Sequence, residues 1–162
     1  MLFRSCPVLH NAPADAPVVT RLVLCSGKVY HDLVASEAYK QAATVAVARL
    51  EQLYPFPSEE LAGVLATYAS LSEVVWMQEE PRNMGAWSFV APRVRGVLRD
   101  AGRLNLDMRY VGRPESASPA EGSLKRHQSA QGKIITAALS AVPSPANGKP
   151  KRKTVNEPRS TT

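Results

Sequence analysis

Two hydrophobic periods alternate along the chain. Compact apolar runs of strand length, RLVLC at 21–25, TVAVARL at 44–50 and EVVWMQ at 73–78, are separated by stretches whose apolar residues return every three or four positions. Short, nearly continuous runs suit strands covered on both faces, and the longer period suits amphipathic helices. Leu33, Val34, Glu37 and Ala38 predict a helix over 30–40. LYPFP then breaks the second run. Ser58 stands as an N-cap, with Glu59 and Glu60 in the first turn and Leu61, Val64, Leu65 and Tyr68 as the apolar stripe. Trp87, Val90, Val94 and Leu98 predict the next helix; Pro92 falls in its first turns or marks a kink, and Gly102 stops it. LNLDMRYVG, 104–112, alternates as a fourth strand. Ser118, Pro119 and Glu121 have the spacing of an N-cap, a first-turn proline and a capping-box partner. A last helix follows through His127, Gln131, Ile134, Ile135 and Leu139, weakened by Gly132.

Strand and helix in alternation predict an α/β fold: a three-layer, open, mostly parallel sheet with helices on both faces. The expected organisation is a flexible leader or linker over 1–19, a domain over 20–141 with order beginning near Arg21, and a disordered basic tail over 142–162. A chain of 162 residues is long enough for one domain with a real core. Charge narrows the partners. The net charge is +6, but residues 149–162 carry five Lys/Arg against one Glu, which is +4 and leaves +2 for the rest. KPKRK therefore reads as a solubilising end, and nucleic acid is a disfavoured partner. No run reaches bilayer-spanning length, so no membrane role is expected. MLFRSCPVLH is broken by Ser5, Cys6 and Pro7 and makes a poor signal peptide. Cys6 and Cys25 make neither a disulfide framework nor a metal site, which points to a reducing compartment and the cytoplasm.

Several chemistries are excluded by their missing motifs. SGK after the first strand lacks the glycines of a dinucleotide fingerprint or a P-loop, and Lys28 reads as a turn lysine. No Gly-x-Ser-x-Gly elbow occurs, and His10, His31 and His127 are scattered without partners at ligand spacing. The unusual stretch is QEEPRNMGAW, where an apolar strand runs into Gln78, Glu79 and Glu80. Neighbouring strand residues face opposite ways, so Glu79 and Glu80 are poorly placed to share one acid–base site. They read instead as organisers of a strand-to-helix turn, with Trp87 plugging its base, or as contacts of an interface. Arg109 and Arg113 flank the end of the fourth strand. If that strand lies beside the third, Arg113 would meet Glu79 or Glu80, to neutralise them or to bind an anion.

RLVLCSGKVYHDL, VARLEQLYPFP, EVVWMQEEPRNMGAW, RYVGRPESASPAEGS and the helix start at His127-Gln128 occur in an order that resembles the C-terminal region of the 2-oxoglutarate dehydrogenase E1 component. The likeness covers residues 20–140; the leader before Arg21 and the tail beyond Ser140 fall outside it. It implies a fold like the C-terminal domain of transketolase. It also implies a homodimeric enzyme that decarboxylates 2-oxoglutarate on thiamine diphosphate with magnesium and passes a succinyl group to a lipoyl-bearing dihydrolipoyl succinyltransferase. In that family the cofactor lies between two earlier domains, while the third supports the dimer and in some members helps bind AMP or acetyl-CoA. This chain holds only the third domain, and the Gly-Asp-Gly…Asn signature for magnesium and diphosphate does not occur in it. The resemblance therefore assigns it no catalytic, cofactor or metal residue and no catalysis alone. Gln78, Glu79, Glu80, Asn83 and Trp87 match the family's third-strand motif, Arg113 its GRP turn, and Ser116, Ser118 and Pro119 the turn after it. The candidate interface or effector residues are Glu79, Glu80, Arg82, Asn83, Trp87, Arg113 and His127. The alternative reading is a stand-alone anion or nucleotide binder.

Overall fold

The computed structural model describes residues 6–11, 16–106 and 108–140. Five strands and five α-helices follow one another among them, besides a 3-10 turn at Ala16–Val18: β1 (Val8–Asn11), β2 (Arg21–Cys25), α1 (Val29–Val34), α2 (Glu37–Lys40), β3 (Val45–Leu50), α3 (Ser58–Thr67), β4 (Glu73–Pro81), α4 (Trp87–Asp100), β5 (Met108–Arg113) and α5 (Leu124–Leu139). The sheet order is β1-β3-β2-β4-β5. β3, β2, β4 and β5 are parallel, and β1 adds an antiparallel edge. The fold is thus α/β, with a mixed, mostly parallel sheet and helices against both faces.

The apolar runs are continuous because both faces are covered. Leu22, Leu24, Val74 and Trp76 pack against Leu61 and Leu65 of α3 and Val90, Val94 and Leu98 of α4. Val23, Cys25, Val47, Val75 and Met77 face the other way, onto Val29 and Leu33 of α1 and Ile134 and Ala138 of α5. Period-2 alternation within β2 and β4 thus divides one apolar run between two cores. Burial pushes the Cys25 thiol up to about 12, so it stays protonated as a small core residue.

Several boundaries differ from the expectation. Order starts ahead of Arg21, because β1 lies within the segment read as a leader: Val8 pairs with Leu50 and His10 with Ala48. The Pro7 carbonyl accepts from Glu51 N (2.9 Å), and the His10 ring meets the Tyr68 hydroxyl. The helix expected over 30–40 is two helices, divided at Ser36. Its hydroxyl donates to Leu33 O (2.7 Å) and accepts from Tyr39 N (3.2 Å), ending one helix and capping the next. Pro57, not Ser58, occupies the N-cap position of α3. Pro92 lies inside α4, and Gly102 (φ 71°) follows its end. The fourth strand begins at Met108, four residues late. Ser123 caps α5, accepting from Arg126 N (3.4 Å), so Ser118 and Glu121 form no capping box. Glu121 is drawn off by Arg113 (3.2 Å). Residues 142–162, expected as a tail, lie outside the described residues.

A polar clamp closes the sheet's amino end. Glu73 takes Arg21 Nε (2.6 Å) on one carboxylate oxygen and Arg109 Nε (2.5 Å) on the other. Both guanidiniums also reach the last turn of α5. Arg21 Nη1 donates to Leu139 O (2.7 Å) and Ala138 O (3.3 Å), and Arg109 Nη2 to Ala137 O (3.4 Å). Cations at a helix C-terminus satisfy carbonyls that have no intrahelical partner. Removing the acid would leave two arginines facing each other over a carboxylate site that is only 21% exposed. Glu73→Ala should therefore cost about 3 kcal/mol, the low end for breaking a buried pair from one side. Chemical denaturation measures this, and an unchanged midpoint would contradict the clamp.

Candidate functional site

β4 outruns its neighbours. Cys25, the last residue of β2, pairs with Met77, and the next β4–β5 pair is Pro81 with Arg113 after a register shift. Residues 78–81 thus stand beyond the carboxyl end of β2, where a strand's backbone and side chains need other partners. Gln78 supplies them. It is 3% exposed, and its side chain makes five hydrogen bonds. Its Oε1 accepts from the Trp76 indole (2.8 Å) and from the backbone N–H of Trp87 (3.0 Å). Both are donors only, which fixes the orientation of the amide. Its Nε2 then donates to the carbonyls of Met84 (2.8 Å), Pro81 (3.1 Å) and Glu80 (3.3 Å). Ala86, the N-cap of α4, offers no side-chain cap, so Gln78 does that work from the strand.

Two glycines permit this packing. Gly85 has φ 65°, and a Cβ there would lie 3.0 Å from Gln78 Nε2 and 3.1 Å from Glu80 Oε2. A Cβ on Gly112 would overlap the Tyr110 phenol and sit 2.9 Å from the Gln78 carbonyl. The Tyr110 hydroxyl donates to Arg113 O (2.8 Å) and Glu80 O (3.1 Å), joining the end of β5 to the bulge in β4.

The candidate residues divide around this corner. Arg113 does lie beside β4, but it meets no glutamate carboxylate there. Its Nε donates to the Glu79 carbonyl (2.7 Å), and the other nitrogens bind Glu121 (3.2 Å) and the Pro119 carbonyl. Asn83 straps the two loops together: Nδ2 donates to Ser116 O (3.0 Å) and Oδ1 accepts from Ser116 N (3.1 Å). Trp87 is half-buried, so the plug is Trp76, while Trp87 packs edge-on to Tyr110 at 5.2 Å. Arg82 lies over both rings, 5.9 Å from Trp87 and 5.5 Å from Tyr110, and Arg95 approaches Trp87 from 5.8 Å.

Glu79 and Glu80 point to opposite faces. Glu80 turns towards Gly85 on the α4 side. Glu79 turns towards α5, where Gln131 Nε2 donates to it (3.4 Å) and to Asp32 (2.9 Å). Asp32 also pairs with Lys28 (2.5 Å). Desolvation alone would raise the Asp32 pKa. The hydrogen bonds from Lys28 and Gln131, with the charges of Lys28 and His127, hold it below the usual carboxylate value. His127 is thus in the field of Asp32, on the α5 side of the sheet with Glu79. Lys28 serves its own helix turn. Among the described residues, no group of three or more His, Cys, Asp or Glu is gathered as a metal shell.

Between the ends of β2 and β4 lies a cleft of 540 Å³. The chain leaves β2 for β3 on one side and β4 for β5 on the other, so this is where the connections diverge, the usual ligand crevice of an open α/β sheet. In sequence Gln78 stands in the unusual stretch after the apolar run but not among the candidate site residues. The available signal was that position itself, since an amide inside a buried strand must find partners. Gln78→Leu keeps the bulk and removes every bond. At about 1–3 kcal/mol for each buried group left unpaired, the loss should be about 3 kcal/mol or more. Gln78→Glu should also destabilise, because it sets a carboxylate against three carbonyls. Urea denaturation of both variants tests this, and wild-type midpoints would refute the role.

Comparison with known proteins bears out the resemblance read from the sequence. The family model described as "2-oxoglutarate dehydrogenase C-terminal" matches residues 6–139. The match thus begins ahead of Arg21 and takes in β1, which corrects the expectation that the likeness starts after the leader. The chain is 46% identical over 134 residues to the 2-oxoglutarate dehydrogenase E1 component of Rickettsia felis, covering 82% of this chain and 13% of that protein. It is 46% identical over 134 residues to that of Azotobacter vinelandii (82% and 14%) and 41% identical over 124 residues to that of an Exiguobacterium species (75% and 13%). The match therefore spans only 13–14% of the length of these relatives.

Proposed function

The chain belongs to the 2-oxoglutarate dehydrogenase C-terminal family, and from that premise we propose that it is the structural and regulatory C-terminal domain of an E1 component, without catalysis of its own. The observation that carries this reading is how the conspicuous polar groups are employed. Gln78, Asn83 and Arg113 all spend their hydrogen bonds on the backbone or side chains of adjacent loops. None is left as a free nucleophile or a base with a relay. The Gly-Asp-Gly signature is not in the sequence, and no metal shell is gathered among the described residues, so these residues do not fit magnesium and thiamine diphosphate. In this reading the cofactor and 2-oxoglutarate are handled by upstream E1 domains. The partners are those domains, a second E1 copy and a dihydrolipoyl succinyltransferase, in the cytoplasm. The domain occupies 20–141 together with β1, its sheet is of the transketolase C-terminal kind, and Glu79, Glu80, Arg82, Asn83, Trp87, Arg113 and His127 border its interfaces. No helix among the described residues is long and apolar enough to cross a membrane.

Supplied with thiamine diphosphate, magnesium and 2-oxoglutarate, the isolated chain should release no carbon dioxide. Turnover that scales with chain concentration would overturn the proposal.

A specific groove favours a second reading, anion or nucleotide binding. It measures 390 Å³ and is bordered by Arg113, Arg126 and Lys133, where α5 passes the end of β5. Arg113 is already engaged, which leaves Arg126 and Lys133 as the cations for a phosphate. Calorimetry with AMP and acetyl-CoA should give salt-sensitive binding that weakens in Arg126→Ala. Flat traces at millimolar ligand would remove this reading.

A further inference from the structure

The cleft at the ends of β2 and β4 is chemically unlike the basic groove beside α5. Leu53 and Tyr54, from the loop after β3, form one wall, and Phe89 of α4 and Trp76 form the other. Glu80 is its one charged lining residue. The Glu80 backbone is committed to the corner, since its carbonyl accepts from Tyr110 (3.1 Å) and Gln78 (3.3 Å). Its carboxylate is different: among the described residues it has no hydrogen bond or ion pair. Gly85 gives that carboxylate its room, as a Cβ there would come within 3.1 Å of Oε2.

Side-chain cations for an anion are missing from the same walls. Both ends of the Gln78 amide are in use. The Ser26 hydroxyl donates to Leu50 O (2.9 Å), and Lys28 is paired with Asp32. A phosphate or carboxylate entering here would meet a like charge and no cation among the lining residues; Arg93, over the Phe89 ring at 3.5 Å, is not one of them. A neutral apolar guest would cover an ionised carboxylate without compensating it. A cation carried on an apolar body meets neither penalty: the acid attracts its charge and the aromatic walls cover its apolar body.

We propose that this cleft is a binding site for a small organic ammonium compound, with the cationic nitrogen beside Glu80 and the apolar body against Tyr54, Phe89 and Trp76. The assignment is made for this chain with its cleft open. It sets the cleft apart from the anion-accepting crevices common at this position in open α/β sheets.

The test is a titration of the full 162-residue chain followed by two-dimensional NMR, using benzyltrimethylammonium, benzyl alcohol and benzoate as probes. The first should give saturable shifts of the Trp76 indole N–H and the Gly85 and Ala86 amides. It should bind about tenfold more tightly than benzyl alcohol, a difference of about 1.4 kcal/mol. Benzoate should leave these signals unmoved. Glu80→Gln should abolish the preference for the cation while leaving the rest of the spectrum in place, because the structural bonds of Glu80 come from its backbone. Tyr54→Ala, at a side chain 83% exposed, should weaken all binding. Equal affinity for the cation and the alcohol, absence of saturable shifts, or a cation preference that survives Glu80→Gln would each overturn the proposal.

Discussion

A single carboxamide decides the shape of this domain's functional end. Gln78 continues the apolar run of β4 into a place where no strand lies beside it on the β2 side. A buried amide carries two donors and an acceptor that must be met. The chain meets them by folding residues 80–87 around it, setting the first turn of α4 on its oxygen and the carbonyls of Glu80, Pro81 and Met84 on its nitrogen. Much of the local sequence follows from this. Trp76 can be fully buried because its indole N–H has a partner. Gly85 and Gly112 are glycines because the amide, its backbone carbonyl and the tyrosine beside them leave no space for a Cβ.

The same economy runs across the sheet. At the amino end, Glu73 orients two arginines onto the last carbonyls of α5. At the carboxyl end, Gln131 of the same helix bridges Asp32 and Glu79. Ile134 and Ala138 fill the space between. α5 is thus fastened by a polar bridge at its middle, by the arginines on its last turn and by apolar packing along that half, a fitting arrangement for a helix that begins with a weak cap and contains Gly132. Side chains spent in this way are not free for bond-breaking chemistry. What remains open is a pair of unlike surfaces: a basic groove beside α5 and an aromatic cleft with one acid between β2 and β4.

The strands β2, β3 and the first part of β4 were legible in the sequence because burial on both faces writes an unbroken apolar run. β1 was not. It has four residues, turns only part of its surface inward, and owes its place to pairing with β3, which local pattern does not record. The end of β4 was misjudged because Glu-Glu-Pro looks like a stop, yet Pro81 still pairs with Arg113. Ser118 and Glu121 matched a capping box by spacing, but Arg113, distant in the pattern and near in space, claims the glutamate. The opposed directions of Glu79 and Glu80 were readable from strand geometry alone. The central role of Gln78 was not, because it depends on where the neighbouring strand ends.

Hydrogen exchange at two protons reports on this organisation directly. If Gln78 holds the corner as described, the backbone amide of Trp87 and the indole N–H of Trp76 should exchange as slowly as the core amide of Val75. Exchange of either proton at the rate of an exposed loop would mean that the carboxamide does not hold the end of the sheet together.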